Sequence, residues 1–559
     1  MLGPTQFAAT PKPALPHGAV EQRQVVIVGG GPVGLTAALD LARHGIAVLL
    51  LDDDDTVSTG SRAICYAKRT LEIWDRLGVA QPMLEHGVTW QVGKVFHGER
   101  ELYRFDLLPE SGHCFPAFIN LQQYHAESAL VAAAQREPLI DLRWRHKAVA
   151  VQPRNDGARL SIEAPDGAYE IDAEYVLAAD GARSTLRRSL GLDFHGQVFE
   201  DRFLIADVKM QASFPTERWF WFEPPFHGGG SALLHKQPDD VWRIDLQLGR
   251  DADPEIERQP ERVLPRLRQM LGPAARFELE WVSVYTFQCR RLERFRHGRV
   301  FFIGDAAHQV SPFGARGANS GVQDADNLAW KLAAVLCGEA DDALLDSYDT
   351  ERVAAADENI LNSTRSTDFI APQGEAARLW RDAVLELAAS QPFARRLVNS
   401  GRLSLPTAYA GSGFFAPDDP GFQAGPPPGA PALDAPLEDG SWLLSHCQAG
   451  RFILLRFGPG GPEAPQGMTV LDLPTDGAAA RRYGAQAGSA YLLRPDQHVV
   501  ARWLAPVPVA AVVAARNQAL GAATGTGQEA GQGCRRGLTP PGSRLSLAPV
   551  FRRFRGSPR

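Results

Sequence analysis

The stretch Val25-Val26-Ile27-Val28-Gly29-Gly30-Gly31-Pro32-Val33-Gly34 decides the architecture. Its β-branched run fits a buried parallel strand, and after the glycines Leu35 to His44 has helical spacing until Gly45 stops it. Ile46 to Leu51 then reads as the next strand. The result is a βαβ unit, whose apolar strands must be covered on both faces and joined by a right-handed crossover. Gly29, Gly31 and Gly34 supply a tight turn, a close backbone approach to a pyrophosphate and a close helix–strand contact. The helix N-terminus aims amide N–H groups at that charge. Asp52 closes the second strand where an acid is needed to hold a ribose hydroxyl, and Asp53 to Asp55 after it read as a solvated turn. This fingerprint specifies a dinucleotide without separating FAD from NAD.

Two later segments repeat the pattern of an apolar strand running into a polar turn: Tyr175 to Ala179 before Asp180-Gly181, and Val300 to Ile303 before Gly304-Asp305. Strand C-termini are where open α/β sheets bind ligands. From about Gly191 to Arg290 the texture changes to alternating segments such as Arg202 to Val208 and Val241 to Leu248. These predict a mainly antiparallel sheet inserted between the two motif-bearing regions and able to roof a pocket. Gln323 to Leu336 and Ala376 to Val398 return to helix. The Pro- and Gly-rich stretch from Leu405 to Leu433 marks a boundary. Beyond it, Trp442-Leu443-Leu444, Phe452 to Phe457, Met468 to Leu473 and Ala490 to Leu493 suggest a small α/β domain.

Composition narrows the classes of function. At 559 residues, 44% hydrophobic and 22% charged, the chain is long enough for two or three soluble domains. A formal net charge of -7 offers no concentrated positive face for nucleic acid. The apolar runs are far short of the roughly 20 residues of a membrane span, and the Pro- and Ala-rich start lacks the pattern of a secretory signal. A cytoplasmic protein with a disordered leader is expected. Six cysteines (Cys65, Cys114, Cys289, Cys337, Cys447 and Cys534) lie far apart with no C-x-x-C pair, arguing against a zinc site or a dithiol redox centre. No clustered His or carboxylate residues suggest a metal.

The string Tyr175-Val176-Leu177-Ala178-Ala179-Asp180-Gly181-Ala182-Arg183-Ser184-Thr185-Leu186-Arg187 resembles the DG motif of the FAD-dependent class A aromatic (phenol) hydroxylases. Arg299-Val300-Phe301-Phe302-Ile303-Gly304-Asp305-Ala306-Ala307-His308 resembles their GD motif, in which the Asp holds a ribityl hydroxyl. The loop Ser311 to Gly321 and Asp324, Asn327, Leu328, Trp330, Lys331 and Leu332 after it also match. The resemblance extends to about Trp503 and implies an α/β fold: a Rossmann-like FAD-binding domain, the inserted sheet, and a thioredoxin-like C-terminal domain without its dithiol, suited to packing or to a homodimer. Its implied segments are a leader (1–22), FAD-binding segment 1 (23–190), the substrate-binding insertion (191–290), FAD-binding segment 2 with helices (291–400), a linker (401–430), the C-terminal domain (431–515) and a disordered tail (516–559).

The same resemblance implies FAD as cofactor, NADPH or NADH as co-substrate, and a small aromatic substrate hydroxylated with O₂ through a flavin C4a-hydroperoxide. Gly29, Gly31, Gly34, Asp52, Arg62, Gln123, Asp180, Gly181, Arg187, Gly304, Asp305, Gly314, Gly317, Ala318 and Asn319 occupy cofactor-binding positions. Pro312, Arg316 and Arg243 are the candidates for catalytic assistance. Glycine-exposed amides at a helix N-terminus suit the negative charge of reduced flavin. Many relatives carry Gln where Arg316 stands and Met or Leu where Ala318 stands; a basic residue here is similar to the p-hydroxybenzoate hydroxylases. Arg243 is placed like a flavin-near arginine of those enzymes, with a surface ion pair as the other reading. Trp219, Trp221, Phe226, His235 and Tyr285 are available for substrate or core, and His308 reads as securing its turn. Trp219-Phe220-Trp221-Phe222-Glu223-Pro224 nearly echoes the W-x-W-x-I-P string of flavin-dependent halogenases. Halogenation, oxidase or epoxidase chemistry, and a non-catalytic flavin-binding protein are the alternatives.

Overall fold

The computed structural model describes residues 6–16, 18–60, 62–212, 214–398, 403–447, 450–465 and 468–521. Strand Glu21–Val28, helix Pro32–Arg43 and strand Val48–Asp52 form the expected βαβ unit. Strand Gly167–Ala178 lies parallel to Glu21–Val28 on its other side and is followed outward by Val300–Phe302, while Ile140–Trp144 flanks Val48–Asp52. Val25, Val26, Ile27, Leu49, Leu50, Val176 and Leu177 are wholly buried, as strands covered on both faces must be. Helix Gly317–Leu336 packs against helix Pro32–Arg43 and closes one of those faces.

The second sheet has eight strands in the order His308–Gln309, Glu278–Arg291, His195–Lys209, Val241–Gly249, Ser231–Lys236, Arg218–Phe222, Val92–His97 and Arg100–Asp106. It is antiparallel except where Arg218–Phe222 meets Val92–His97. Its last two strands come from the first flavin-binding segment rather than from the insertion expected over 191–290. Period-two alternation marks a half-buried strand but not the sheet it joins, so this excursion is invisible in the pattern. One face packs Leu204, Ala206, Val208, Trp242, Ile244 and Leu246 under Val263 and Leu267 of helix Pro260–Leu271.

Other expectations are corrected. Residues 6–16 of the leader lie against the first sheet: Phe7 stacks on Trp144 at 4.4 Å and Thr10 N donates to the Trp144 carbonyl at 3.1 Å. Trp442-Leu443-Leu444 gives no strand; Leu443–His446 is a short 3-10 turn. Between the two expected helical stretches stands the helix Asp346–Ile370, which has no apolar stripe because it buries Ser347, Glu351, Arg352, Asn359, Ser363 and Thr367. Ala376 to Val398 divides into Glu375–Ser390 and Pro392–Val398. Residues 1–5 of the leader and 522–559 of the tail lie outside the described residues, whereas Val509–Ala519, across the expected boundary, is helix. No helix among the described residues is long and apolar enough to cross a membrane.

The C-terminal sheet runs Thr469–Leu473, Ile453–Phe457, Ala490–Leu493, Val499–Trp503, the first pair parallel and the others antiparallel. Buried charge fastens it to the rest. The Arg494 guanidinium donates to both oxygens of Glu351 at 2.7 and 3.0 Å and to Asp496 at 2.6 Å, and Arg69 donates to the Asp496 carbonyl at 2.6 Å. Burial alone would raise the Glu351 carboxyl, but Arg494 and Lys331 hold it down at about 2. Removing one partner of a buried pair strands the other, at about 3–5 kcal/mol. Arg494→Leu should therefore lower the unfolding free energy in urea by about that amount, and a loss under about 1 kcal/mol would show that the pair is not what holds the two parts together.

Candidate active site

The three motif turns meet because their glycines let them. A Cβ on Gly29 would stand 2.3 Å from the Ala179 carbonyl oxygen, and one on Gly34 would stand 1.9 Å from that of Gly29. Gly304, at φ +60°, and Gly321 both face Val33, whose Cγ2 would lie 3.1 and 2.6 Å from their added Cβ atoms. The N-termini of helices Pro32–Arg43 and Gly317–Leu336 are thereby brought beside the turn Gly304–Ala306. Gly31, capping the first of these helices, has nothing within 4 Å of its would-be Cβ. That open space over unpaired amides is what a pyrophosphate requires.

Burial raises the carboxyls of all three motif acids. Asp52 accepts from the amides of Gly30 and Asp54 at 2.5 and 2.8 Å, and burial still pushes its carboxyl up to about 6. Asp180 Oδ2 accepts from the Leu186 amide at 3.1 Å, while Oδ1 is buried without a partner and burial raises the carboxyl. Asp305 is exposed yet crowded by protein, the condition of a side chain in a concavity; the crowding raises its carboxyl while His308 and Arg62 draw it back. This donor set fits FAD.

Other expected cofactor residues hold the site rather than face it. Gln123 accepts from the Ala63 amide at 3.0 Å and donates to Glu127 at 2.8 Å, fixing the loop that carries exposed Arg62. Arg187 donates to the carbonyls of Ala306 and Ala182 at 3.2 and 2.9 Å, tying the two motif turns together beside Gly181. Asn319 accepts from Ala67 N and Thr70 Oγ1 at 2.8 and 2.6 Å and donates to the carbonyls of Cys65 and Ala315 at 2.9 and 2.6 Å. With its side chain so occupied, only its backbone is left for a ligand. Ala318 and Gly317 lie half-buried in the same first turn of the helix. His308 secures its turn by bonding Asp324 at 2.7 Å, which also accepts from Gly304 N at 2.9 Å and from Arg352 at 2.6 Å.

Beside the loop opens a cleft lined by Phe313 and Gly314 from the loop, Phe220, Phe222, Arg218, Lys94 and Val95 from the second sheet, and Ile370 from the long helix. Pro312 is exposed next to Phe313. Arg316 is buried beneath the loop, its guanidinium donating to Asn359 at 3.1 Å; a Cβ on Gly314 would touch its Nε at 2.9 Å. Arg243 is no surface residue: it is buried and bidentate to Asp207 at 2.8 and 2.8 Å, with Trp281 beside it.

Strand register places Arg218, Phe220, His235, Arg243, Asp245, Trp281 and Tyr285 on the cleft-side face. Trp219, Trp221 and Phe226 pack in the core on the opposite face, so the halogenase-like string does structural work. Two residues on this face carry buried polar atoms without a hydrogen bond. His235 is 3% exposed with neither ring nitrogen bonded, and burial drives its pKa well down. Asp245 Oδ1 is buried and unbonded, and burial lifts the carboxyl to about 6. His235 stood among the sequence candidates; Asp245 was missed, although its position two residues from Arg243 on one strand was the available signal.

Residues 22–363 match the family model described as FAD binding domain, which covers more than half of the chain. The chain belongs to this FAD-binding family. It is 32% identical to 6-methylpretetramide 4-monooxygenase of Streptomyces rimosus over 92% of this chain and 98% of that protein. It is also 30% identical to a 3-(3-hydroxy-phenyl)propionate/3-hydroxycinnamic acid hydroxylase of Mycolicibacterium smegmatis, over 71% and 70%. Among solved structures, the anhydrotetracycline hydroxylase OxyS of Streptomyces rimosus matches with a TM-score of 0.68 at 27% identity, over 87% of this chain and 96% of that one. The flavin-dependent monooxygenase PieE, solved with FAD and substrate, shares the fold with a TM-score of 0.77 at 24% identity, over 90% and 100%. The protein is thus an enzyme, a flavin-dependent monooxygenase, with the class A fold. Asp305→Ala should leave the flavoenzyme folded but colourless after gel filtration; a yellow variant with full FAD content by absorbance would remove Asp305 from cofactor binding.

Proposed function

We propose that this flavoenzyme hydroxylates a phenolic ring of a polycyclic, polyketide-type substrate, using O₂ and a reduced nicotinamide. The observation that carries this reading is the aromatic lining of the cleft, where Phe220 and Phe222 of the sheet stand with Phe313 of the loop, a surface suited to the flat faces of aromatic rings. The match to 98% of a pretetramide monooxygenase supports the same substrate class. Lys94 and Arg218 on the cleft wall favour a second reading, a smaller arylpropionate whose carboxylate they would bind. Consumption of NADPH or NADH across a panel of polycyclic phenols and hydroxyphenylpropionates, with product masses, separates the two. Stimulated turnover by the small acids alone would overturn the polycyclic assignment.

The chemistry that FAD would supply at this site, once reduced by the nicotinamide, is activation of O₂, with one oxygen atom passing to the ring and the other leaving as water. The protein's own residues do the rest. Amides of Gly31 and of the Gly314–Asn319 turn would hold the cofactor, Asp52 and Asp305 would take its hydroxyls, and Arg316 under the loop would add positive charge on the side of the reduced ring. Phe220, Phe222 and Phe313 exclude water that would divert the oxidant. Asp245 Oδ1 accepts the phenolic proton and so makes the ring more electron-rich, with His235 orienting the hydroxyl. A carboxylate lifted to about 6 is a better base than an ordinary one, being nearer the phenol range. The order of the C-terminal sheet supports a thioredoxin-like domain with a packing role, and a cytoplasmic location fits the whole.

The sign of the pH effect follows. Asp245 must be ionised to accept a proton, so kcat/KM should fall as pH drops below about 6. Asp245→Asn should lower kcat by roughly 10²–10⁴-fold and abolish that acid limb while FAD content stays normal. An unchanged profile would exclude Asp245 as the acceptor.

A further inference from the structure

Away from the cleft, three side chains converge at the junction of the two large layers. His86 ends the helix Ala80–His86, His125 lies in the first turn of the helix Gln123–Ala134, and Asp239 sits in the turn between strands Ser231–Lys236 and Val241–Gly249. His86 Nε2 is 3.2 Å from His125 Nε2, and each is 3.3 Å from Asp239 Oδ2. Hydrogen bonding does not satisfy this triangle. An ionised carboxylate only accepts: with a proton on both Nε2 atoms the two donors oppose each other, and with one Nε2 unprotonated its lone pair opposes Asp239.

A cation removes the conflict, because each of the three atoms can offer it a lone pair. For tetrahedral zinc with bonds of about 2.0–2.1 Å, neighbouring ligand atoms stand roughly 3.3–3.4 Å apart. The three observed separations of 3.2, 3.3 and 3.3 Å match one face of that tetrahedron. The side chains of His86, His125 and Asp239 are 42, 33 and 49% exposed, which leaves the fourth position to water. Two imidazoles and one carboxylate select zinc and its d-block neighbours over magnesium and calcium, which prefer all-oxygen shells.

We propose that His86, His125 and Asp239 form a zinc-class divalent metal site that staples the roofing sheet to the flavin-binding domain. The same turn is already docked there: Asn120 donates to the Lys236 carbonyl at 2.7 Å and Gln122 to that of Pro238 at 3.3 Å. Asp239 and Asp240 both hold left-handed conformations, at φ +60° and +59°, which metal ligation would help to fix. The strand that carries Arg243 and Asp245 begins at Val241, immediately after this turn. A filled site therefore steadies the cleft-side face, and its effect should appear in substrate KM more than in kcat.

The test uses the full-length FAD-loaded enzyme, stripped with a chelator and titrated with zinc chloride by calorimetry and thermal unfolding. One zinc should bind with micromolar affinity and raise Tm, magnesium should do neither, and cobalt(II) should give the intense visible bands of a tetrahedral complex. His86→Ala and Asp239→Asn, at solvent-exposed positions, should each weaken zinc at least tenfold with FAD content unchanged. His125→Gln serves as a third variant if either of these loses flavin. Absence of saturable binding overturns the proposal. So does zinc binding unaltered in the variants, or a cobalt spectrum of the octahedral aquo ion.

Discussion

The placement of one helix, Gly317–Leu336, governs the rest of the structure. Its first turn supplies backbone for the flavin loop, and its length carries four buried polar side chains in opposed duties. Asp324 clamps the Gly304 turn, His308 and Arg352. Asp326 pairs with Arg69 and Arg76 from the helix Lys68–Arg76. Asn327 and Lys331 meet Glu351 on the long neighbouring helix at 2.7 and 2.9 Å, and Glu351 in turn meets Arg494 of the C-terminal domain. Such ions cost desolvation that apolar packing would not, so their return is measured in register rather than in raw stability. Shifted by one residue, this helix would present none of these groups to its partner and would strand several charges.

That arrangement explains what was legible in the sequence. Glycines collide with named backbone atoms if given a side chain, and that constraint is local, so Gly29, Gly34, Gly304 and Gly321 announce the turns by identity alone. Asp324, Asn327 and Lys331 could be matched as a pattern, but not read, because their partners lie up to 28 residues away on a helix with no apolar period. Helix Asp346–Ile370 escaped for the same reason: a face that buries Glu351, Arg352 and Asn359 looks, to hydropathy, like a solvated one. Asn319 and Gln123 were read as cofactor contacts, yet their side chains turn to loops that only tertiary structure brings beside them.

The second sheet shows the complementary difficulty. Alternation correctly predicted that it would be half-buried, but period two cannot tell which face meets helix and which meets ligand. Trp219 and Trp221, the most conspicuous residues of their strand, pack against apolar core, whereas the less conspicuous Arg218 and Phe220 between them line the cleft. The His235 ring and the Asp245 Oδ1 atom stand out because they are buried without a hydrogen bond, a property of the assembled sheet and not of any short string.

The His86–His125–Asp239 triangle belongs to the same class of feature. Its members are separated by 39 and 114 positions, far outside any ligand-spacing pattern, and each alone would be an ordinary surface residue. What singles them out is that three polar atoms approach at mutual distances no set of protons can satisfy. The flavin site and this triangle thus follow one logic: where groups of fixed polarity are held facing one another without mutual satisfaction, the protein is shaped for something that supplies the missing charge or donor. At Asp180 a buried carboxylate oxygen lacks a donor, and at the domain junction the missing partner is a cation.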